Sequence, residues 1–409
     1  MKERLKIGVV GLGGRGLGIL KDIMLPMEDV DVLGVCDLYE DRTKYGVDAV
    51  EKARGVRPIG TQNYKDILNL DIDAVLILCA WEPHIEIAVA AMKKGISVGM
   101  EVGGAYSIDD CWKLVNTYEE TGTPCMLLEN CCYGKREMMA LKMAKDGFFG
   151  DIVYCEGGYQ HDLRGEIAYG EENRHYRLRN YINRNCENYP THELGPIAKL
   201  LNINNGNRMM TLSSMSSSSK GLHQYILDKK GADDKLANVH FRQGDIVRTN
   251  IMCANGELIS IILDTTLPRC YSRNFTVRGT KGMYQENGDY FYKDGEPEDL
   301  GKLYGNGNVY EKDENNLHPL WSNYEAKGGH GGMDFLVYRA FVESNLMGIN
   351  PPIDVYDTAA WMCISTLSEK SISLGGMPVE IPDFTNGKWF NRTDIVDFKY
   401  SLDWQTNLK

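Results

Sequence analysis

The stretch Leu5-Lys6-Ile7-Gly8-Val9-Val10-Gly11-Leu12-Gly13-Gly14-Arg15-Gly16 decides the fold. Residues 5–10 are an apolar run that reads as a buried strand, and apolar residues at three- and four-residue spacing over 17–24 read as the helix after it. Between them stand Gly11, Gly13 and Gly16 in the spacing GxGxxG. Alone the pattern is weak, because 43 glycines scatter it by chance. Here it leaves a strand and opens a helix, so each glycine has a task. Gly11 permits the tight turn, Gly13 lets the backbone approach a pyrophosphate, and Gly16 lets helix and strand pack closely. The free N–H groups of the helix start then face the phosphates.

Working outward, residues 32–36, 74–78, 97–100 and 125–128 are further strand candidates, separated by helical patterns at 40–52, 85–94 and 108–120. Alternating β and α units predict a doubly wound parallel sheet, an α/β Rossmann domain over residues 1–130. Asp37 ends the second strand at the distance where a carboxylate bonds both ribose hydroxyls and repels a 2′-phosphate, which favours NAD over NADP. Arg42 is the one residue nearby that would meet a 2′-phosphate; at an exposed helix start it more often serves as a solvated charge.

From residue 152 the pattern changes to alternating runs at 152–156, 209–213, 245–253, 258–263 and 274–279, with turns at Asn255-Gly256 and Asn287-Gly288. That predicts an α+β domain over 131–350 with a mostly antiparallel open sheet, and a C-terminal helix and tail over 351–409 that pack back on both. One sheet face covers the nicotinamide edge and the other meets solvent or a second copy, so a homo-oligomer through this sheet is expected. The serine run 213–219 reads as a flexible loop.

A net charge of -12 and a pI near 5.3 argue against a nucleic-acid surface, leaving a small molecule as the expected partner. No export signal or membrane-spanning apolar run is apparent, and the eleven cysteines lack zinc-ligand spacing. The expectation is a cytoplasmic protein with reduced thiols and no metal. His161 and Asp162 have no third ligand at useful spacing; His175, His223, His240 and His318 carry no motif and read as surface residues. His330, between glycines, reads as part of a flexible loop, a lid or subunit contact as readily as a catalytic group.

Tyr189-Pro190-Thr191-His192 puts a proline in a first helical turn, so Tyr189 and His192 project from one face and two titratable groups share a site. Such a pair is also common in plain cores, each group satisfying the other. Neighbouring loops favour the functional reading. Ala80-Trp81-Glu82-Pro83-His84 and Glu101-Val102-Gly103 follow the third and fourth long strands, and together they resemble the Gfo/Idh/MocA superfamily of sugar and cyclitol oxidoreductases. The chain departs from its dehydrogenases: Val102 and Gly103 stand where those carry the Lys and Pro of Glu-Lys-Pro, and Asn188 stands where they carry an Asp.

The departures match one branch, the NAD-dependent glycosidases of glycoside hydrolase family 109. The similar loops are Leu128-Glu129-Asn130 with Tyr133, 157–164 including Tyr159 and His161, 189–196, Pro268-Arg269-Cys270-Tyr271-Ser272-Arg273, 279–282, 329–335, 354–357 and 382–384. The loop between Arg164 and Arg174 is short. The resemblance implies that Gly11, Gly13, Arg15, Gly16, Asp37, Trp81, Glu82, His84, Glu101, Val102 and Asn130 hold NAD, with His84 as a hydrogen-bond donor of the cofactor loop. It implies that Tyr159, Arg177, Tyr189, Thr191, His192 and Tyr271 meet a sugar, with Glu129, Tyr159, Tyr189 and His192 catalytic.

The implied reaction is redox-neutral: oxidation at C3 of the sugar, loss of the C2 proton, departure of the aglycone from C1, water addition and re-reduction. His192 would handle the C3 hydroxyl proton, Tyr159 would take the C2 proton if its pKa were lowered, and Glu129 would act directly or orient its neighbours. The implied substrates are α- and β-glycosides, N-acetylgalactosaminides among them. A sugar or inositol dehydrogenase and a non-catalytic sugar sensor are the alternatives.

Overall fold

The computed structural model describes residues 2–322 and 324–402. The N-terminal part is a six-stranded sheet of β1 (Leu5–Val10), β2 (Val30–Cys36), β3 (Ile59–Thr61), β4 (Ala74–Ile77), β5 (Ser97–Met100) and β6 (Cys125–Leu127). Its order is β3-β2-β1-β4-β5-β6 and every pairing is parallel. β4 is buried at all four positions, as expected of a parallel strand covered on both faces. β3 escapes a periodicity reading because it has three residues, two of them exposed and one a glycine. The first helix runs Gly14–Ile19 and continues as a π-turn, Leu20–Met24, so it begins inside the glycine motif rather than after it.

The second sheet is β7 (Ile152–Gln160), β8 (Met209–Ser216), β9 (Ile246–Cys253), β10 (Leu258–Asp264), β11 (Thr276–Gly279), β12 (Gly282–Gln285), β13 (Tyr290–Lys293) and β14 (Val379–Glu380). The order is β13-β12-β11-β7-β10-β9-β8-β14, antiparallel except for β7 beside β10. Along β9, Val247, Thr249, Ile251 and Cys253 are buried and Arg248, Asn250 and Met252 exposed, the period-two pattern of a sheet with one wet face. The turn at Asn287-Gly288 joins β12 to β13, two strands too short to read from sequence, and Gly288 has φ +103°.

The serine run corrects an expectation. Ser213–Ser216 belong to β8, and only the residues beyond them form a loop. Ser213 Oγ donates to the Gly376 carbonyl at 2.6 Å, and the Ser214 hydroxyl meets Thr249 Oγ1 at 2.7 Å. The hydroxyls find partners inside the sheet, so a polar composition costs the strand little.

The C-terminal half ties the parts together. The Met333–Met347 helix lies on the parallel sheet, with Arg339 paired to Asp29 at 2.7 Å and Phe341 against Gly99, where an added Cβ would lie 3.1 Å from the ring. The Val355–Ser373 helix packs on β8, on the Ile108–Thr121 helix and on the Pro190–Leu200 helix. Residues 403–409 of the expected tail lie outside the described residues. Among the described residues no helix is long and apolar enough to cross a membrane. One core spans both sheets, and a second apolar cluster, with Trp81, Val102, Tyr159, Tyr189 and Leu263, walls the cleft between them.

Candidate active site

Gly11, Asp37, the 79–84 loop, Glu101 and Glu129 follow β1, β2, β4, β5 and β6, so the carboxyl ends of the parallel strands open onto one crevice. That edge is where open α/β sheets bind ligands. Gly11 has φ +103°, and a Cβ there would lie 2.4 Å from the Cys79 nitrogen; a Cβ on Gly16 would lie 2.1 Å from the Gly11 oxygen. Neither position admits a side chain. Gly13, by contrast, has only Arg42 Nη1 within reach, at 3.6 Å, so its backbone is open on the side a pyrophosphate would approach. Asp37 is nearly buried and accepts from the N–H groups of Leu12 (2.7 Å) and Tyr39 (3.0 Å), leaving its outer lone pairs for hydroxyls. Arg42 donates to the Asn173 carbonyl at 3.0 Å and lies over the Tyr39 ring. The residues fit a dinucleotide.

The 164–174 segment carries a short helix, Arg164–Ala168, and then crosses to the first domain. Arg174 pairs with Asp41 at 2.8 Å and stacks over Tyr39. On the other wall, Arg15 pairs with Glu101 at 3.0 Å and donates to both oxygens of Asp334, at 2.6 and 2.9 Å. Asp334 also accepts from Asn130 Nδ2 (2.7 Å) and His330 Nδ1 (2.8 Å), while Tyr338 donates to Glu101 at 2.9 Å. His330 therefore sits in an ordered turn, Nδ1 bound. Burial pushes the Asp334 carboxyl up, but His330 and Arg15 more than offset it and hold it well below the carboxylate range.

Trp81 is buried in the wall, edge-on to Tyr176 and 5.6 Å from the Tyr189 ring. A Cβ on Gly103 would lie 2.6 Å from Trp81 Cδ1, a physical reason for glycine in this loop. Glu82 pairs with Arg179, and Val102 is buried beside the wall. His84 is fully buried and its Nε2–H donates to the Cys79 carbonyl at 3.1 Å. Burial lowers its pKa, and Nδ1 has no partner among the described residues. The ring is thus a neutral brace of the loop with one acceptor to spare.

Across the crevice, Pro190 opens the Pro190–Leu200 helix with Tyr189 as its cap residue, so Tyr189 and His192 share a face and their rings lie 4.8 Å apart. Tyr159, on β7, stacks at 4.3 Å on Tyr189 and stands edge-on to His192 at 5.6 Å. Arg177 lies 5.0 Å over Tyr189 and pairs with Glu166 at 3.0 Å. His192 Nδ1–H donates to Glu129, whose oxygens are at 2.7 and 2.8 Å and which also accepts from the Cys131 N–H at 3.0 Å. A carboxylate only accepts, so the Nδ1 proton is fixed and Nε2 carries the lone pair. Burial pushes the Glu129 carboxyl up; the His192 ring and these hydrogen bonds outweigh it, and the group stays ionised below its ordinary range.

Three expectations need correction. Thr191 is fully buried behind the helix start and offers a sugar nothing. Burial raises the Tyr159 phenol, only partly opposed by Arg177, the opposite of the lowering a C2 base needs. Of the four histidines read as surface groups, His240 alone is exposed: His175 stacks on Tyr176 at 4.6 Å, His223 is half-buried, and burial takes the half-buried His318 down to about 4. Lack of a motif says nothing about burial.

His161 and Asp162 are neighbours in sequence but not partners in the site. The two separate: Arg164 takes Asp162 at 2.7 Å, while His161 Nδ1 accepts from the Tyr159 hydroxyl at 3.3 Å and the ring stands 5.2 Å from Tyr271. The signal was present, since His161 stands two residues after Tyr159 in an extended segment and shares its face. Asp334 and Tyr338, one helical turn apart, had the same kind of signal.

A family profile described as Glycosyl hydrolase 109, C-terminal domain, matches residues 133–391, and one described as Oxidoreductase family, NAD-binding Rossmann fold, matches residues 5–128. The chain is 37% identical to an Alpha-N-acetylgalactosaminidase of Tannerella forsythia, across 95% of this chain and 88% of the relative. It is 38% identical to a Glycosyl hydrolase family 109 protein of Solibacter usitatus, across 96% and 90%. Among solved structures, scyllo-inositol dehydrogenase from Lactobacillus casei, crystallised with NAD(H) and scyllo-inositol, superimposes with a TM-score of 0.63 at 14% identity, across 92% of this chain and 99% of that one. At that identity the likeness is one of fold.

Proposed function

The chain belongs to glycosyl hydrolase family 109, an NAD-dependent glycosidase, and from that premise we propose that it cleaves α- and β-glycosides, N-acetylgalactosaminides among them, through transient oxidation at C3. The observation that carries the mechanism is the Glu129–His192 pair at the mouth of the Rossmann crevice.

The glycine turn, Asp37, Arg15, Trp81, Glu82, His84, Glu101, Val102 and Asn130 would hold the cofactor. When bound, NAD would supply reversible hydride acceptance, so that the reaction ends with no net oxidation. His192 Nε2 takes the C3 hydroxyl proton, and the Glu129 carboxylate offsets the imidazolium charge that results. A ketone at C3 acidifies the C2 hydrogen, so that proton passes to solvent as the aglycone leaves C1 and picks up a proton of its own; water then adds to the resulting enone, hydroxyl to C1 and proton to C2. Tyr189, kept neutral by burial, acts as a hydroxyl donor to the sugar, while Tyr159, whose proton goes to His161, offers its oxygen as an acceptor. Arg177 gives the pocket a positive potential where negative charge develops on the sugar. Tyr271, half exposed, marks the open side. His192 finally returns its proton to the C3 oxygen.

The outward sheet face with Met215, Arg248 and Met252 suits a second copy, and we propose a homo-oligomer through it. The eleven cysteines are all free, which suits the reducing cytoplasm.

The test is nitrophenol release from α- and β-nitrophenyl glycosides in heavy water, with deuterium sought at C2 of the product and free NADH followed by absorbance. Release with C2 deuteration and no NADH accumulation supports the reading. Steady NADH without nitrophenol makes the protein a dehydrogenase, and no reaction with any sugar leaves a sensor.

A further inference from the structure

We propose that Glu129, Cys131 and His192 form a binding site for a thiophilic divalent cation, zinc or cadmium, whose occupancy silences the enzyme. One carboxylate oxygen, Cys131 Sγ and one ring nitrogen all lie within 4.8 Å of one another. Tetrahedral zinc with bonds of about 2.0–2.3 Å spaces its ligand atoms by roughly 3.3–3.8 Å, so the cluster needs only a small contraction. Glu129 and His192 Nδ1 are already closer than that, at 2.7 Å. Cys131 Sγ lies 3.6 Å from Asn130 Oδ1, which offers a fourth, oxygen ligand. The mixed N, O and S set is what zinc and cadmium select over magnesium or calcium.

Charge favours occupancy. Cys131 is a free, buried thiol. Binding releases one proton to solvent, from Sγ, while the His192 ring proton moves from Nδ1 to Nε2 so that Nδ1 can ligate. A dipositive ion with one thiolate, one carboxylate and a neutral imidazole then makes a neutral buried site, where the empty cluster carries the net negative charge of the Glu129 carboxylate. Glu129 and Cys131 are closed off, and the His192 side chain, 12% exposed, is the edge by which an ion enters. The silencing rests on the role of His192 proposed above. A cation on Nδ1 leaves the ring proton on Nε2, which then has no lone pair with which to take the C3 hydroxyl proton.

The test titrates the NAD-loaded enzyme with cadmium chloride in a non-chelating buffer, following the ultraviolet thiolate-to-cadmium band and glycoside cleavage, for wild type, Cys131→Ser and Cys270→Ser. The expected result is one cadmium per chain, a band and loss of activity together, and recovery with EDTA. Cys270→Ser, at the exposed thiol, keeps both effects, whereas Cys131→Ser loses the band and needs about tenfold or more cadmium for the same inhibition. A band and inhibition that survive Cys131→Ser overturn the site. A Cys131-dependent band with full activity upholds the cation site and overturns the role given to His192. Should Cys131→Ser not fold, zinc X-ray absorption on the wild type decides: one sulfur among nitrogen and oxygen ligands supports the site, and a shell without sulfur overturns it.

Discussion

The Arg15 guanidinium donates to both oxygens of Asp334, at 2.6 and 2.9 Å, across 319 positions of the chain. The pair joins the glycine turn to the Met333–Met347 helix, and Asp334 brings in Asn130 and His330 by the same carboxylate. Asp334→Asn keeps the shape and removes the charge that holds Arg15. NAD should bind about tenfold more weakly or worse, ~1.4 kcal/mol, and the variant should lose cofactor on gel filtration. Calorimetric titration checks it; an unchanged NAD dissociation constant would remove Asp334 from cofactor positioning.

Glu129→Gln tests the tautomer. An amide donates as readily as it accepts, so Nδ1 is no longer fixed as the protonated nitrogen, and the imidazolium loses its counter-charge. The turnover number should fall on the order of 10²–10⁴-fold with KM little changed, as when an orienting carboxylate is removed from a histidine base. Steady-state kinetics on a nitrophenyl glycoside, with NAD binding as control, decide it. A loss confined to KM would place Glu129 in sugar binding instead.

Gly103→Ala puts a methyl group 2.6 Å from Trp81 Cδ1. Trp81 must move or the loop must, and overpacking of this kind costs about 1–3 kcal/mol. The melting temperature should drop and tryptophan emission should shift. Unchanged emission together with unchanged NAD affinity would show that the loop accommodates the methyl without moving Trp81.

The buried pair Glu187 and Glu193, beneath the Tyr189–His192 turn, predicts a pH effect on stability. Burial raises both carboxyls, and for Glu193 the neighbouring Glu187 raises it further. A raised folded pKa means that the native state holds protons the unfolded chain has released. The contribution is fully present below the unfolded value and is lost as pH rises through the folded one, about 7 for Glu187. Glu193→Gln, neutral at every pH, should match wild type near pH 5 and melt higher near pH 8. Parallel melting curves for the two proteins from pH 5 to 8 would refute the assignment.

Much of the architecture was legible from the chain alone. β1 and β5 run over the residues that apolar patterning marks, the glycine turn lies between strand and helix, and β9 alternates as a half-buried strand should. These features are local: backbone hydrogen bonding and side-chain alternation repeat every few residues, so a short window carries them. β3, β12 and β13 escaped because, unlike the equally short β5, they are no continuous buried apolar run, and three or four part-exposed residues do not establish a period.

The sequence by itself determined the two-domain plan, the dinucleotide turn and the family loops. Which groups meet was decided only in three dimensions. His192 lies 63 positions from the carboxylate that fixes its proton, Asp334 lies 319 from Arg15, and the two halves of His161-Asp162 turn to different partners. Charge, burial and hydrogen bonding act through space over a few ångströms. No spacing along one chain states which distant loops the folded sheets will bring within that range.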